Sequence, residues 1–361
     1  MGHNIKEIAL LAGVSRSTAS RVISGKGYAS REVRERVMAV VERLQYKPSA
    51  VARAMVEQRT HNIGVIVFRE RQPIVSHPLY GKLIDAILTA AEARGYSVFL
   101  KTDQEMSLRS TDYLMERRVD GLILISRLRK NVIDYVKRFQ VPYLMVNGST
   151  DDPDVIHLVS NDEEGGQRAA AHLHGLGHRR FLVIAGPQEH RSHNLRLEGF
   201  KRGLSRLGGG DIEIARSPES GFEHGYRLMR ERADAFLRDR RTAVFATNDM
   251  LALGAMKALL ERSVAVPGQA AVMGFDDVDI ASMYAPALTT VRVDTQRIGQ
   301  DAVGLLDRMI RNEEGLPKLN EYASELIVRE STRPGPPGSA GAGPDSAAEP
   351  EGAAASPQEK G

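Results

Sequence analysis

The sequence predicts a mixed α/β protein with a small all-α head, a short linker helix and a larger two-lobe, doubly wound α/β body. Three observations predict this fold. The first sixty residues show helical periodicity. From Ile63 onward, apolar runs of strand length alternate with amphipathic stretches of helical length, a pattern typical of parallel sheets covered by helices. After Glu330 the chain becomes rich in Pro, Gly, Ala and Ser, which predicts a disordered tail over residues 331–361.

The first two helices of the head are predicted within residues 5–24. Apolar residues recur at helical spacing from Ile5 to Ala12, and Gly13 provides a turn. Ser15 is placed to cap the second helix. That helix can bury its apolar side chains while its Arg and Ser side chains point outward. This layout is typical of a helix-turn-helix that reads DNA; the alternative is a solvated helical hairpin.

A third helix and a hinge segment are predicted after the turn that follows. Ser30 begins the third helix, whose apolar stripe is long enough to cover the first two helices. Pro48 stops it, so the head is predicted to span residues 1–47. Residues 48–60 are predicted as a hinge helix and linker. Their helix-prone part is only about two turns long, and we expect it to order only against a partner.

Charge is distributed unevenly along the chain. Residues 1–60 contain eleven Lys or Arg and five Asp or Glu, a net +6. Because the whole chain carries +3, the remaining residues carry −3. A basic head on a mildly acidic body predicts a polyanionic partner that is held by the head alone.

Composition excludes several classes of protein. The chain has 361 residues and no cysteine, which excludes a disulfide framework, thiolate zinc sites and cysteine nucleophiles, and suits a reducing cytoplasm. No signal peptide is visible at the N-terminus, and no apolar run is long enough to span a membrane. These features predict a cytoplasmic protein without a membrane partner.

The body is predicted to span residues 61–330 and to divide into two lobes, since one sheet with this many strands is improbable. Ligands in folds of this type bind outside the carboxyl ends of the strands. Two facing lobes therefore predict one cleft between them.

Thirteen short motifs, in order, carry a family resemblance over about residues 4–330. Five of them are Ala-Gly-Val-Ser from Ala12, the segment Tyr46–Arg53, Arg-Leu-Glu-Gly-Phe from Arg196, Asn-Asp-Met-Leu-Ala from Asn248 and Gly-Phe-Asp-Asp from Gly274. With these motifs the chain resembles transcription regulators of the LacI/GalR family. The resemblance implies a homodimer, a near-palindromic double-stranded DNA operator, a hinge helix that folds on DNA and a body resembling periplasmic sugar-binding proteins. It also implies chain crossings between the lobes near residues 160, 290 and 321, and an effector in the cleft.

The resemblance also assigns DNA-contacting residues. It places Arg16, Ser17 and Arg21 at base edges, where the Arg fork suits guanine; for Arg16, phosphate contact alone is the alternative. It places Thr18, Tyr46 and Ser49 at the DNA backbone. Met55, with Ala52, occupies the hinge position where relatives usually carry a Leu that wedges into the minor groove.

The resemblance also implies effector-binding residues in the cleft, which in this chain are Tyr80, Asn147, Arg196, Asn248 and Asp276. Guanidinium, amide and carboxylate groups together suit a polyhydroxyl ligand, because each sugar hydroxyl both donates and accepts. This predicts a sugar as effector. The segment His77–Tyr80 departs from the Asn-Pro-Phe-Phe that relatives often carry, and Tyr80 either stacks on a sugar ring or packs as a core aromatic.

No cofactor, metal or catalytic site is predicted. His172, His174 and His178 have a spacing that resembles a metal site, but two of them project to different sides of a helix and no acid completes a set. We therefore expect a DNA-binding repressor with a small-molecule effector, and not an enzyme. The alternatives are a sugar-binding protein of a transport system and a regulator controlled by a nucleobase or a phosphoprotein.

Overall fold

The computed structural model describes residues 4–25, 27–46, 59–68, 77–103, 119–126, 130–138, 140–148, 152, 154–239 and 242–333. Most of the predicted hinge segment, with Ser49, Ala52 and Met55, lies outside these residues. So does the predicted tail beyond Arg333.

The head consists of helices α1 (Ile5–Leu11), α2 (Arg16–Ser24) and α3 (Arg31–Arg43). The Ser15 side chain accepts a hydrogen bond from the Thr18 N–H, so the predicted cap of α2 is confirmed. Ser30, predicted to begin the third helix, caps α3 by accepting from the Val33 N–H. The apolar faces of the three helices meet in a small core of five buried residues. These residues are Ile8, Ala12, Val22, Val37 and Val40.

In the described part of the body, most strands are followed by a helix, although β5 follows β4 and β12 follows β11 without a helix between them. The strands are β1 (Asn62–Phe68), β2 (Ser97–Asp103), β3 (Gly121–Ile125), β4 (Tyr143–Val146), β5 (Ile156–Ser160), β6 (Arg180–Ala185), β7 (Asp211–Arg216), β8 (Ala243–Ala246), β9 (Ala271–Met273), β10 (Thr290–Arg292), β11 (Leu319–Tyr322) and β12 (Glu325–Ile327). The helices are α4 (Pro78–Glu92), α5 (Lys130–Lys137), α6 (Asp162–Gly175), α7 (Arg191–Arg206), α8 (Phe222–Arg238), α9 (Asp249–Leu260), α10 (Asp279–Met283) and α11 (Thr295–Ile310).

The first lobe is built on a parallel sheet with strand order β11-β5-β4-β3-β1-β2. Side chains alternate across β1: Val65 joins the core beneath α4, while Ile66 joins a second core that includes Ile133 of α5. Helix α11 packs along α4. Helices therefore cover both faces of the sheet, as the sequence predicts.

The second lobe is built on a parallel sheet with strand order β7-β6-β8-β9. The chain enters this lobe between Ser160 and Asp162, at the junction of β5 and α6. After β10 the chain returns to the first lobe, where β11 joins the sheet. Between β11 and β12 it crosses to the second lobe again. Strands β10 and β12 pair in a two-stranded antiparallel sheet. The two lobes are thus joined by three neighbouring segments.

The predicted start of the tail at residue 331 is wrong. Ser331 and Thr332 are buried in the second lobe, because Val272 of β9 donates its N–H to the Ser331 carbonyl at 3.0 Å. The Ser331 hydroxyl donates to the Val272 carbonyl at 2.6 Å and accepts from the Thr289 N–H at 2.8 Å. Composition could not reveal this, since both residues are small, polar and next to the Pro-rich segment. The body extends to at least Thr332.

Candidate functional site

The exposed face of α2 carries the residues predicted to read bases. Arg16, Ser17 and Arg21 are exposed. The Ser15 hydroxyl lies 2.8 Å from the hydroxyls of both Ser17 and Thr18, so the start of α2 is held in one arrangement. A rigid, basic and hydroxyl-rich helix start is suited to a DNA groove.

The predicted DNA-backbone residues are placed differently from one another. Thr18 is partly buried beside Ser15, whereas Tyr46 packs against the core of the head. Ser49, Ala52 and Met55 lie outside the described residues.

A cavity of about 220 Å³ lies between the lobes, and all five predicted effector residues line it. From the first lobe come Tyr80 of α4 and Asn147, which directly follows β4. From the second lobe come Arg196 of α7, Asn248, which caps α9, and Asp276, which follows β9. The sequence therefore identified side chains that converge in space, although they are up to 196 positions apart, the distance from residue 80 to residue 276.

The strand ends explain this convergence. Ser126, Asn147 and Ser160 lie at the carboxyl ends of β3, β4 and β5, and all three line the cavity. Asn147 and Asp276 have positive φ angles of 51° and 116°. This turns the chain sharply where it leaves the strand, a conformation that is uncommon outside glycine and is enriched at functional sites.

Close helix packing brings a sixth group into the site. A Cβ atom on Gly166 of α6 would lie 2.2 Å from the Arg196 carbonyl oxygen, and one on Gly199 of α7 would lie 2.1 Å from the Glu163 carbonyl oxygen. Only glycine permits this approach of the two backbones. It places Asp162, at the start of α6, beside the guanidinium of Arg196.

Arg196 is the centre of a buried polar network. Its Nε donates to Asp162 Oδ1, and its Nη1 donates to Asp276 Oδ1 and to the Thr247 carbonyl oxygen, each at 2.8 Å. The guanidinium also lies 3.8 Å from the centroid of the Phe275 ring. Arg196 and Asp276 are only 4% and 5% exposed. Burial opposes the charged form of Arg196, but both carboxylates together raise its pKa, so it stays a cation.

Asp276 shares this cation with Asp162. The pKa of Asp276 is raised to about 6, mainly because the carboxyl is buried. The negative charge of Asp162 also raises this pKa, and the attraction of Arg196 lowers it. Because one cation lies between two buried carboxylates, the cleft contains carboxylate oxygens that can accept hydrogen bonds close to a guanidinium that can donate them. That combination suits a neutral ligand with several hydroxyl groups better than an anion.

Asn248 also has a structural role. Its Oδ1 accepts from the Leu251 N–H at 3.0 Å and caps α9, and its Nδ2 donates to the Ser220 carbonyl at 3.0 Å. The next residue, Asp249, is fully buried. Burial and the nearby charge of Asp276 raise its pKa well above the usual value. The Thr290 hydroxyl of β10 donates to Asp249 Oδ1 at 2.5 Å, so Asp249 ties the second lobe to an interlobe segment.

Two histidines not assigned as site residues shape the cleft. His77 Nδ1 accepts from the Tyr80 N–H at 3.5 Å and caps α4, and the two rings lie 4.8 Å apart. Burial, with a contribution from His190, lowers the pKa of His77 to about 4. His193 is buried, 2.8 Å from the Thr247 hydroxyl and 2.9 Å from the Ser220 hydroxyl, and burial lowers its pKa well below the usual value. Both rings are therefore neutral at pH 7.

Of the two alternatives for Tyr80, packing as a core aromatic is confirmed, and stacking on a sugar ring stays a prediction. Tyr80 packs against the main hydrophobic core and also lines the cavity. Asp162 was not predicted as a partner of Arg196, although it begins Asp-Glu-Glu-Gly-Gly, another of the thirteen motifs, and follows a strand end.

The histidines with apparent metal spacing have separate partners. His172 Nε2 lies 2.8 Å from the Thr332 hydroxyl, and His178 Nδ1 lies 2.7 Å from the Thr242 hydroxyl. Within the described ranges, no group of three or more His, Cys, Asp or Glu side chains is placed to hold a metal ion. None of the helices described is long and apolar enough to cross a membrane.

Comparison with known proteins identifies relatives of both the head and the body. Residues 4–49 match the family of bacterial regulatory proteins, lacI family, and residues 170–332 match a periplasmic binding protein-like domain. The HTH-type transcriptional repressor PurR of Haemophilus influenzae (strain PittEE) is 32% identical over 343 residues, which cover 91% of this chain and 98% of PurR. The ribose operon repressor of Escherichia coli (strain K12) is 32% identical over 336 residues, which cover 89% of this chain and 96% of that repressor.

Solved structures give the same result. The lac repressor dimer bound to operator and the anti-inducer ONPF has a TM-score of 0.79 at 27% identity, covering 92% of this chain and 99% of that one. The transcriptional regulator CelR in complex with cellobiose has a TM-score of 0.69 at 29% identity, covering 91% of this chain and 99% of that one. The chain therefore belongs to the LacI family of bacterial regulatory proteins and is a DNA-binding transcriptional regulator.

Proposed function

We propose that this protein is a homodimeric repressor whose affinity for a near-palindromic operator is set by a sugar bound between its lobes. The observation that carries the proposal is the meeting of Arg196, Asp276, Asn147 and Tyr80 in one interlobe cavity.

The cleft provides donors and acceptors side by side. Within the described part of the chain, Arg196 makes three hydrogen bonds, which use its Nε and Nη1 hydrogens. A guanidinium has five N–H donors, so the two on Nη2 are available to a ligand. Asp276 uses Oδ1 for Arg196, and its Oδ2 can accept from a hydroxyl. A donor and an acceptor so close together suit two neighbouring hydroxyl groups on one ring.

The first lobe completes the site. The Asn147 amide can both donate and accept, and the ring of Tyr80 offers a face on which a sugar can stack. A ligand that contacts Asn147 and Arg196 at once bridges the lobes. Such a ligand favours one lobe arrangement only by the difference between its affinities for the two arrangements.

The DNA contacts belong to the head and the hinge. Arg16, Ser17 and Arg21 would read base edges from the major groove, and Thr18, Tyr46 and Ser49 would hold phosphates. In the hinge, Met55 with Ala52 would enter the minor groove, where an apolar side chain can wedge between base steps. Two heads on a dimer would then lie about one DNA turn, or a multiple, apart.

Two of the relatives reported above support a sugar as effector. One is named a ribose operon repressor, and CelR was solved with cellobiose. These relatives are transcriptional regulators and not enzymes. We extend this to the present chain, for which we propose no enzymatic activity and a cytoplasmic location.

The test begins with an operator that the protein itself selects. Duplexes are enriched from a random-sequence pool with the full-length protein, and a panel of pentoses, hexoses and disaccharides is screened by thermal shift. The expected result is that at least one sugar raises Tm and changes the Kd of the selected duplex at least tenfold. If nucleobases change the Kd and no sugar does, the sugar is the wrong effector class. If a sugar binds but no duplex is enriched, the chain is a sugar-binding protein without a regulatory role.

A further inference from the structure

Asp120 holds the linker where it enters the body. Asp120 directly precedes β3. Its Oδ1 accepts from the Thr60 N–H at 2.7 Å and from the Thr60 hydroxyl at 2.8 Å, and its Oδ2 accepts from the His61 N–H at 2.8 Å. Both carboxylate oxygens are thus used on two successive linker residues. Hydrogen bonds to an ionised acceptor are the stronger kind.

The neighbouring linker residue is attached to a different element. Arg59 Nη2 donates to the carbonyl oxygen of Ile310, the last residue of α11, at 3.1 Å. The end of a helix carries partial negative charge, which favours a cation there. One turn earlier, Asp307 accepts from the Tyr96 hydroxyl at 2.8 Å and pairs with Arg311 at 2.9 Å. Helix α11 is therefore tied both to the linker and to the start of β2.

The other end of α11 lies at the junction between the lobes. The helix starts at Thr295, three residues after β10, and Asp294 caps it by accepting from the Arg297 N–H at 2.9 Å. The same junction is anchored in the second lobe through the bond from Thr290 to Asp249. With 16 residues, α11 is about 24 Å long at 1.5 Å per residue. It runs from an interlobe segment to the linker.

We propose that Asp120 and Arg59 are positioning residues that fix the body end of the linker to β3 and α11 and so set where the DNA-reading heads lie relative to the body. Neither residue is among those that line the interlobe cavity. Their effect on operator binding is geometric: a linker fixed at the body keeps the two heads of a dimer at a defined separation. A loosened linker spreads the heads over more positions and lowers the effective concentration of the second head at its half-site.

This proposal rests on the proposed operator binding, and its test uses a readout that a purely structural role would leave unchanged. Asp120→Asn keeps the shape of the side chain but replaces one acceptor oxygen with an NH2 group. Arg59→Gln removes the bond to Ile310 from the linker side and leaves the core of the body intact. Asp154→Asn is the matched control, because it makes the same chemical change at an exposed carboxylate near the start of β5 whose ion-pair partner is Lys318.

The experiment measures the Kd of each full-length variant for a duplex that the wild-type protein selects and for a scrambled duplex. Hydrogen exchange at Thr60 and His61 is followed on the same samples. We expect Asp120→Asn and Arg59→Gln to weaken binding to the selected duplex at least tenfold. Binding to the scrambled duplex should stay within twofold, and exchange at Thr60 and His61 should rise in Asp120→Asn. Asp154→Asn should match the wild type in all three measurements.

Two results would overturn the proposal, and they differ. If exchange at Thr60 and His61 rises while the selected duplex binds within twofold of the wild type, the linker is loosened without consequence and the positioning role is wrong. If both duplexes are weakened equally, the variants have lost general affinity for DNA and not head placement, which also rejects the role. A wild-type protein that selects no duplex would instead reject the proposed function on which this role depends.

Discussion

Arg196 Nη1 donates a 2.8 Å hydrogen bond to Asp276 Oδ1, and this bond joins α7 to the turn after β9. Arg196 Nε makes an equally short bond to Asp162 at the start of α6. One guanidinium thus links three elements of the second lobe on the side that faces the cleft. Any ligand that touches Arg196 therefore touches a group whose geometry is already fixed, which reduces the entropy lost on binding.

Replacing Arg196 with Lys should disable the site. A lysine keeps the positive charge, but a single ammonium cannot reproduce the planar fork that reaches Asp162, Asp276 and the Thr247 carbonyl. We expect the free energy of unfolding, measured with urea, to fall by about 3 kcal/mol, the scale for breaking a buried ion pair. The thermal shift produced by a bound sugar should disappear.

The matched control for this change is Arg202→Lys, which alters an exposed ion pair between α7 and Glu163. Exposed pairs contribute about 0–1 kcal/mol, so this variant should keep its stability and its response to sugar. An Arg196→Lys protein that still responded to the same sugar would show that the ligand binds elsewhere.

His77 should make the protein less stable in acid. Its pKa is lowered to about 4 in the folded chain, whereas a histidine in an unfolded chain titrates near 6.5. Between pH 6.5 and 4 the unfolded state therefore binds a proton that the folded state does not. This lowers the free energy of unfolding as the pH falls. Above pH 6.5 the contribution is constant.

Comparison of the wild type with His77→Gln tests this assignment. Loss of the α4 cap changes the free energy of unfolding of the variant by the same amount at every pH. The assignment is therefore tested by the slope of the unfolding free energy against pH. Between pH 7.5 and 5 we expect the wild type to lose about 1 to 2 kcal/mol more than His77→Gln, as measured by urea unfolding. Parallel curves would show that His77 does not titrate as described.

Two truncations should separate the tail from the body. A chain that ends at Arg333 keeps every contact of Ser331 and Thr332 and should unfold at the wild-type temperature. A chain that ends at Glu330 removes the partner of the Val272 N–H and the acceptor of the Thr289 N–H. Leaving a buried donor unsatisfied costs about 1–3 kcal/mol, so this chain should be less stable by about 2–6 kcal/mol. Equal melting temperatures for both chains would place the boundary of the body before residue 331.

Replacing Arg16 with Ala should change which operators are selected. Loss of a bidentate contact with guanine costs about 1–3 kcal/mol at one base pair and relaxes specificity there. Selection from a random pool should therefore show one degenerate position in each half-site. Arg31→Ala is the control, because Arg31 is exposed on α3 and paired with Glu35. An unchanged operator preference with uniformly weaker binding would assign Arg16 to a phosphate.

The family resemblance assigned the cleft residues, and the fold explains why they converge. Asn147 directly follows β4 and Asp276 lies three residues after β9. Parallel strands bring their carboxyl ends to one edge of the sheet. Asp162 was not predicted as the partner of Arg196. Their contact depends on the close approach of α6 and α7 at Gly166 and Gly199, and a glycine in a helical pattern does not reveal which backbone it meets.

The linker contacts were equally hidden. Asp120 lies in Arg-Val-Asp-Gly-Leu-Ile from Arg118, another of the thirteen motifs. Its hydrogen bonds to Thr60 and His61 join residues that are 60 and 59 positions apart. Nothing in the local pattern of either segment predicts that pairing. Short polar segments such as Ser331-Thr332 show the same limit, because burial of a hydroxyl is decided by its partners and not by its residue type.

The most direct test of the account is the affinity for the self-selected duplex, measured by fluorescence anisotropy with and without the most stabilising sugar. A basic head coupled to a ligand-binding cleft predicts a Kd that changes at least tenfold when the cleft is filled, in the wild type but not in Arg196→Lys. An identical Kd with the cleft empty and filled would contradict the central claim that the two sites communicate.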